Sequence, residues 1–201
     1  AFLNNLSCQS LTCNSSSAIF VSALSSAVTS DSSFFSMVSD LFSSLMFAQQ
    51  NPPTTVKYVD LKRYVGLWYE VAKIPNSFQD QCVKNTTAKY TLTKDGEIYV
   101  TNSCIDEDGE IDAADGVVRV VDKKTNAKLE VSFVSFFGWR PFWGDYWIIG
   151  LDENYQWAIV GTHNRKYGWV LSRIPKLDNP TIEKIFRIIK EQGYNTKKFK
   201  F

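Results

Sequence analysis

The sequence predicts an all-β domain, an antiparallel sandwich or barrel carrying one C-terminal helix, set behind a serine-rich leader. Three observations carry this expectation. From Tyr58 onward, short alternating runs follow one another with polar turns between them, the pattern of antiparallel sheets rather than of βαβ units. Only one later stretch, "NPTIEKIFRIIKEQG", has convincing helical spacing. The composition also changes near Asn51-Pro52-Pro53: the chain before it is dense in serine and lacks lysine and arginine, and after it charges alternate. This divides the chain into a leader at 1–53 and a folded domain at 54–201. With 201 residues, 44% of them hydrophobic, there is enough chain for one sizeable core and something extra.

In the leader, Phe34, Phe35, Val38, Leu41, Phe42, Leu45 and Met46 recur at helical spacing, and Asp31 or Ser32 suits an N-cap. One reading is an amphipathic helix that docks on the domain, covers its mouth or lies on a membrane. The other is a poorly ordered leader, or an export segment removed after "MFAQQ", although the basic n-region of a signal peptide is lacking.

The first strand contains "YVGLWYE", with Gly66 two places before Trp68. A glycine inside a strand marks a bend or a close approach, and an indole goes where it can be enclosed. The strand should therefore bend at Gly66 and drive Trp68 into a confined space. "NTTAKYTL" and "GEIYVTNSC" flank Asp95-Gly96, a hairpin signal. The runs "DGVVRVVD", "AKLEVSFV", "YWIIGLD", "QWAIVGT" and "YGWVLSR" continue the series. In the helix, Asp178 or Asn179 suits the cap, Pro180 the first turn and Gly193 the end, with Ile182, Ile185, Phe186 and Ile189 on the face to be buried. The tail "YNTKKFKF" alternates and is read as a short last strand.

Successive strand side chains point to opposite faces. Leu129, Val131 and Phe133 thus oppose Lys128, Glu130 and Ser132, and Val118 and Val120 oppose Arg119. "YWIIG" and "YGWVLSR" are apolar on both faces; in the second, Tyr167, Trp169, Leu171 and Arg173 share one. Were Trp68 and Arg173 at one end of a closed sheet, the guanidinium could lie over the indole and donate to nearby carbonyls. Glu70 has the parity of Trp68, which points it inward near the closed end, as an internally paired structural carboxylate or as a catalytic or headgroup-binding one.

A formal net charge of +1 gives no electrostatic case for nucleic acid or for an anionic membrane surface. The single histidine, His163, sits in the polar turn "GTHNRKYG" and reads as a solvated loop residue, which speaks against a His-based metal site or a Ser/His relay. No run of about 18 apolar residues is present to span a bilayer as a helix. The cysteines fall into two groups, Cys8 with Cys13 and Cys82 with Cys104, neither in the CxxC form of a zinc site. An even count suits an exported, disulfide-bearing protein and leaves three pairings open. Cys82 and Cys104 flank Asp95-Gly96 nearly symmetrically, which makes a bridge between them reasonable; a reactive free thiol is the alternative. Asn-x-Ser/Thr sequons occur at Asn5, Asn14 and Asn85, the first two in serine-rich surroundings that produce such triplets by chance.

With "GLW" at 66–68, "LSR" ending at Arg173, "LDENYQWAIV" between them and a single C-terminal helix, the chain from about residue 56 resembles the lipocalins. It is most similar to the bacterial type that also resembles apolipoprotein D. "GLDENY" departs from the family's usual Thr-Asp-Tyr wording, the leader has no counterpart, and no lipobox supports a lipid anchor. The resemblance implies an eight-stranded antiparallel up-and-down β-barrel with the helix packed outside, whose lumen needs an apolar face on every strand. On that frame the lumen candidates are Ala88, Tyr90, Val100, Asn102, Val118, Val120, Leu129, Val131, Phe133, Tyr146, Ile148, Ala158, Val160, Tyr167 and Trp169. Gly66, Trp68 and Arg173 become the structural motif of the floor. The implied function is non-enzymatic binding, storage or transport of fatty acids, lysophospholipids or similar lipids, without cofactor or metal, in the cell envelope or outside the cell, with peripheral membrane association. An enzyme on the same scaffold using Glu70 or a free thiol, and a pigment, retinoid or tetrapyrrole carrier, are the alternatives.

Overall fold

Gly66 opens the first strand with φ +103°, a backbone that side-chain-bearing residues rarely adopt, and a Cβ built there would lie 3.3 Å from the Arg173 guanidinium. The bend expected from "GLW" therefore has two causes, a backbone requirement and a close approach. The computed structural model describes residues 51–201, and the helical spacing read at 34–46, Cys8, Cys13, Asn5 and Asn14 lie outside them.

The described elements are helix α1 (Leu61–Tyr64), strands β1 (Gly66–Lys73), β2 (Lys84–Leu92), β3 (Ile98–Ile105), β4 (Ile111–Val120), β5 (Lys128–Ser132), β6 (Gly144–Leu151), β7 (Trp157–Gly161) and β8 (Gly168–Ser172), and helix α2 (Asn179–Glu191). One-turn 3-10 segments lie at Ser77–Gln79 and Thr196–Lys198. Each strand pairs antiparallel with the next, and β1 pairs with β8, which closes the barrel. Odd-numbered strands run from floor to mouth, so the β1–β2, β3–β4, β5–β6 and β7–β8 connections all lie at the mouth. Residues 56–65 cross the floor: the Val56 N–H donates to the Ile148 carbonyl and the Val59 N–H to the Thr125 carbonyl.

Two apolar clusters result, one inside and one outside. The inner cluster takes one side of every strand and includes Val59, Tyr64 and Trp68 from the floor. The outer one joins Ile149, Trp157, Ile159 and Val170 to Ile185 and Ile189 of α2. That second cluster is why the runs around β6 and β8 are apolar on both faces. Asp178 caps α2 by accepting from the Thr181 N–H, Pro180 sits in its first turn, and Gly193 follows its end at φ +79°. The tail differs from expectation: Thr196–Lys198 winds into a 3-10 turn, and only Lys200 bridges to Lys73.

Cys82 and Cys104 form a disulfide that ties the mouth loop after β1 to β3, with Cα atoms 5.5 Å apart and a sequence separation of 22. Closing a loop of that length contributes about 3 kcal/mol.

Candidate functional site

The floor is built first. Trp68 is fully buried, and its Nε1–H donates to the Tyr64 carbonyl at 2.7 Å. The Arg173 guanidinium lies 3.7 Å from the indole centroid. From there it donates to the carbonyls of Leu67, Arg63, Tyr64 and Val65 at 2.7–3.0 Å, and to that of Tyr155 at 3.3 Å. One planar fork thus pins the crossing segment, β1 and the β6–β7 turn together, while burial shifts the Arg173 pKa down. The departure in "GLDENY" does not remove these contacts. Tyr155 holds φ +60° there, and its hydroxyl accepts from the Asp60 N–H at 2.8 Å.

Above the floor lie three phenols. Tyr90 donates to the Tyr146 hydroxyl at 2.9 Å, and the Tyr146 and Tyr64 hydroxyls are 2.8 Å apart. Three phenolic protons share two such bonds, so one donor remains for a polar group in the lumen. Burial pushes all three pKa values well up, so they stay neutral donors. The sign follows: groups whose folded pKa is raised contribute stability that is complete below the ordinary tyrosine value near 10 and is lost as the pH rises above it. In an alkaline titration followed by phenolate absorbance, these three of the nine tyrosines should ionise only as the fold is lost; a smooth titration of all nine with the fold intact would contradict their burial.

Most residues expected on the inner faces of the strands are packed into the inner cluster. Ala88, Tyr90, Val100, Val118, Leu129, Tyr146, Ile148, Ala158 and Val160 belong to the buried inner cluster, with Val120, Val131 and Trp169 half-buried against it. Asn102, on the parity of Val100, has a buried Oδ1 that accepts no hydrogen bond in the described residues. Phe133 and Tyr167 sit at the rim. The Phe133 ring lies over Gly116, where an added Cβ would come within 2.8 Å of it, so that glycine makes room for the ring. Tyr167 packs edge-on against Phe78 of the mouth loop, centroids 5.2 Å apart.

Glu70 does face inward, but at the mouth half rather than near the closed end. A bulge between Glu70 and Ala72 shifts the register, so that Glu70 pairs with Leu171 and Lys73 with Trp169. Both charged side chains therefore point into the barrel. Lys73 Nζ lies 3.2 Å from Glu70 Oε1. Gln79, on the one-turn segment of the mouth loop, donates to Glu70 Oε2 at 3.0 Å and accepts from Trp169 Nε1 at 3.1 Å and Asn76 Nδ2 at 3.0 Å. This amide latches the mouth loop to the adjoining β1 and β8 strands. Tyr64, Lys73, Phe78 and Gln79 were not among the expected site residues: they lie outside the strands, or behind a bulge that alternation alone does not reveal.

A space of about 450 Å³ lies outside the barrel, between α2 and β1, where Phe201 packs near Phe186 and the pairing of β1 with β2 has stopped. His163 is on an exposed loop, its Nδ1 paired with Asp145 Oδ2. Among the described residues no three His, Cys, Asp or Glu side chains converge as metal ligands.

Comparison with known proteins agrees with this geometry. Residues 59–201 match the family described as Lipocalin-like domain. The chain is 39% identical to the outer membrane lipoprotein Blc of Vibrio cholerae over 149 residues, covering 72% of this chain and 84% of that protein. It is 36% identical to temperature-induced lipocalin-1 of Arabidopsis thaliana over 146 residues (71% and 78%) and 31% identical to apolipoprotein D of Macaca fascicularis over 155 residues (74% and 78%). Among solved structures it is similar to insecticyanin from the tobacco hornworm Manduca sexta, with a TM-score of 0.61 at 25% identity over 76% of this chain and 83% of that one. With the closed barrel, the plugged floor and the apolar lumen, these matches show that the chain belongs to the lipocalin-like family, whose members bind small hydrophobic ligands.

Proposed function

We propose that this protein is a non-enzymatic carrier of single-chain lipids, fatty acids or lysophospholipids, held in the barrel lumen. The supporting observation is the inner cluster: every strand gives it an apolar face, the floor is shut by Trp68 under Arg173, and polar groups are few and placed at the two ends. Burying about ten methylenes is worth roughly 8 kcal/mol gross. Association costs of roughly 4–15 kcal/mol leave micromolar affinity as the expected scale. The disulfide and the outer-membrane lipoprotein relatives favour an exported protein of the cell envelope or the extracellular space. Titrating palmitate should quench tryptophan fluorescence with a micromolar midpoint, since Trp169 half-faces the lumen; an unchanged spectrum together with no heat of binding would refute the carrier reading.

The mouth also carries a membrane-facing surface in this reading. Phe136, Phe137, Trp139 and Phe142 of the β5–β6 loop are exposed, Phe137 at 96%. Clustered aromatics at one loop tip suit the interfacial zone of a bilayer. The acidic β3–β4 turn at the same end, with Asp106, Glu107, Asp108 and Glu110, favours a zwitterionic surface over an anionic one. A carrier docked in this way would exchange lipid directly with the membrane.

A further inference from the structure

We propose that Lys73 captures long-chain aldehydes covalently, as an imine, with Glu70 as the proton acceptor and counter-ion. This activity goes beyond reversible carriage, and it rests on the carrier reading for delivery of the chain. The starting point is where the lysines lie. Among the described residues every lysine except Lys73 and Lys128 is exposed. Lys128 lies over Trp147, which packs with the outer cluster. The bulge between Glu70 and Ala72 instead turns Lys73 inward, level with Trp169, and leaves its side chain 19% exposed. A lysine withdrawn into an apolar surround is the usual setting for condensation with a carbonyl compound.

The pair supplies every proton the reaction moves. Glu70 Oε1, 3.2 Å from Nζ, takes one proton and leaves a neutral amine. The nitrogen lone pair forms a bond to the aldehyde carbon, the carbonyl π pair moves to oxygen, and the proton held by Glu70 passes to that oxygen. A second nitrogen proton then returns through Glu70 to the hydroxyl, which leaves as water while the nitrogen lone pair closes the C=N bond. The products are a protonated imine, one water and the Glu70 carboxylate, with nothing oxidised or reduced. Charge is conserved at the site as well. An iminium replaces the ammonium, so a carboxylate only 10% exposed is never left without a cation. Gln79 steadies Glu70 by donating to Oε2 at 3.0 Å while it accepts from Trp169 Nε1. Phe78, Tyr167 and Trp169, with centroids 5.2–6.2 Å apart, wall the pair and limit the water that would hydrolyse the imine. An aldehyde that enters tail first lays its chain along the inner apolar faces and leaves its carbonyl level with Lys73.

The test incubates the intact protein with hexadecanal or propanal, fixes any imine with cyanoborohydride and locates it by peptide mass spectrometry. In the wild-type protein hexadecanal should fix on Lys73 at least about tenfold more than on any exposed lysine, because the tube holds its carbonyl beside the amine. Propanal, too short to be held, should show no such preference. Saturating palmitate, which competes for the lumen, should lower the hexadecanal adduct about fivefold or more. Lys73→Arg, which keeps a cation beside Glu70, should reduce the adduct at least about tenfold. Glu70→Gln should slow its formation at least about tenfold. The capture is overturned, and the carrier reading left standing, by hexadecanal that competes with palmitate yet leaves no adduct on Lys73. The same holds for fixation spread over exposed lysines and indifferent to palmitate, and for a rate unchanged by Glu70→Gln. Failure of both palmitate and hexadecanal to bind overturns both readings.

Discussion

Trp68→Ala should cost about 4 kcal/mol of folding stability and lower the midpoint of thermal unfolding by roughly 10 °C. Truncating a buried indole removes its contacts and leaves a cavity. Here it also removes the platform beneath Arg173, the residue that ties the carbonyls of residues 63–65, Leu67 and Tyr155 into one unit. Arg173→Ala should cost a similar amount by the complementary route, because several carbonyls lose their shared donor. The lipid affinity of whatever folded protein remains should change by less than about threefold, because both residues lie below the phenols and away from the mouth. Calorimetric unfolding alongside lipid titration checks this. A variant with near-native stability and lost binding would move Trp68 out of the floor and into the binding site.

Replacing Phe136, Phe137, Trp139 and Phe142 together by serine should lower partitioning onto phosphatidylcholine vesicles by at least about fiftyfold while leaving thermal stability unchanged. Burying even half of each ring contributes about 1 kcal/mol, and four rings together dominate any adsorption of a nearly neutral protein. The acidic turn predicts a second outcome: adding anionic lipid should not strengthen the adsorption. Vesicle sedimentation reads both. Equal partitioning of the wild-type and substituted proteins would remove the membrane from the proposal without touching the lumen.

The antiparallel sheet was legible because each strand carries one apolar face, so Leu129, Val131, Val118 and Val120 declared their side by alternation, while its closure into a barrel rather than a sandwich came from the resemblance to the lipocalins. Trp68 and Arg173 were legible as a pair because a glycine-bent strand and a strand ending in arginine need a common end to make sense of both residues. The mouth was not legible, for a definite reason. The bulge between Glu70 and Ala72 inserts one residue, and a one-residue shift moves a side chain to the opposite face. Strict alternation sends Ala72 inward and Lys73 outward; the structure has them the other way round, with Ala72 in the outer cluster under α2. Gln79 lies in a loop without periodicity, and its role arises only from meeting Glu70 of β1 and Trp169 of β8 in the folded barrel. Tyr64 was missed because it belongs to a four-residue helix outside any strand, although its hydroxyl completes the phenol network.

The carrier reading is tested most directly by native mass spectrometry of the protein purified without detergent, followed by solvent extraction and identification of what it carries. A fraction of the molecules should be heavier by the mass of one single-chain lipid, released intact by the solvent and restored by adding it back. A protein that carries nothing, and gains nothing when incubated with fatty acids or lysophospholipids above their expected micromolar dissociation constants, would contradict the account.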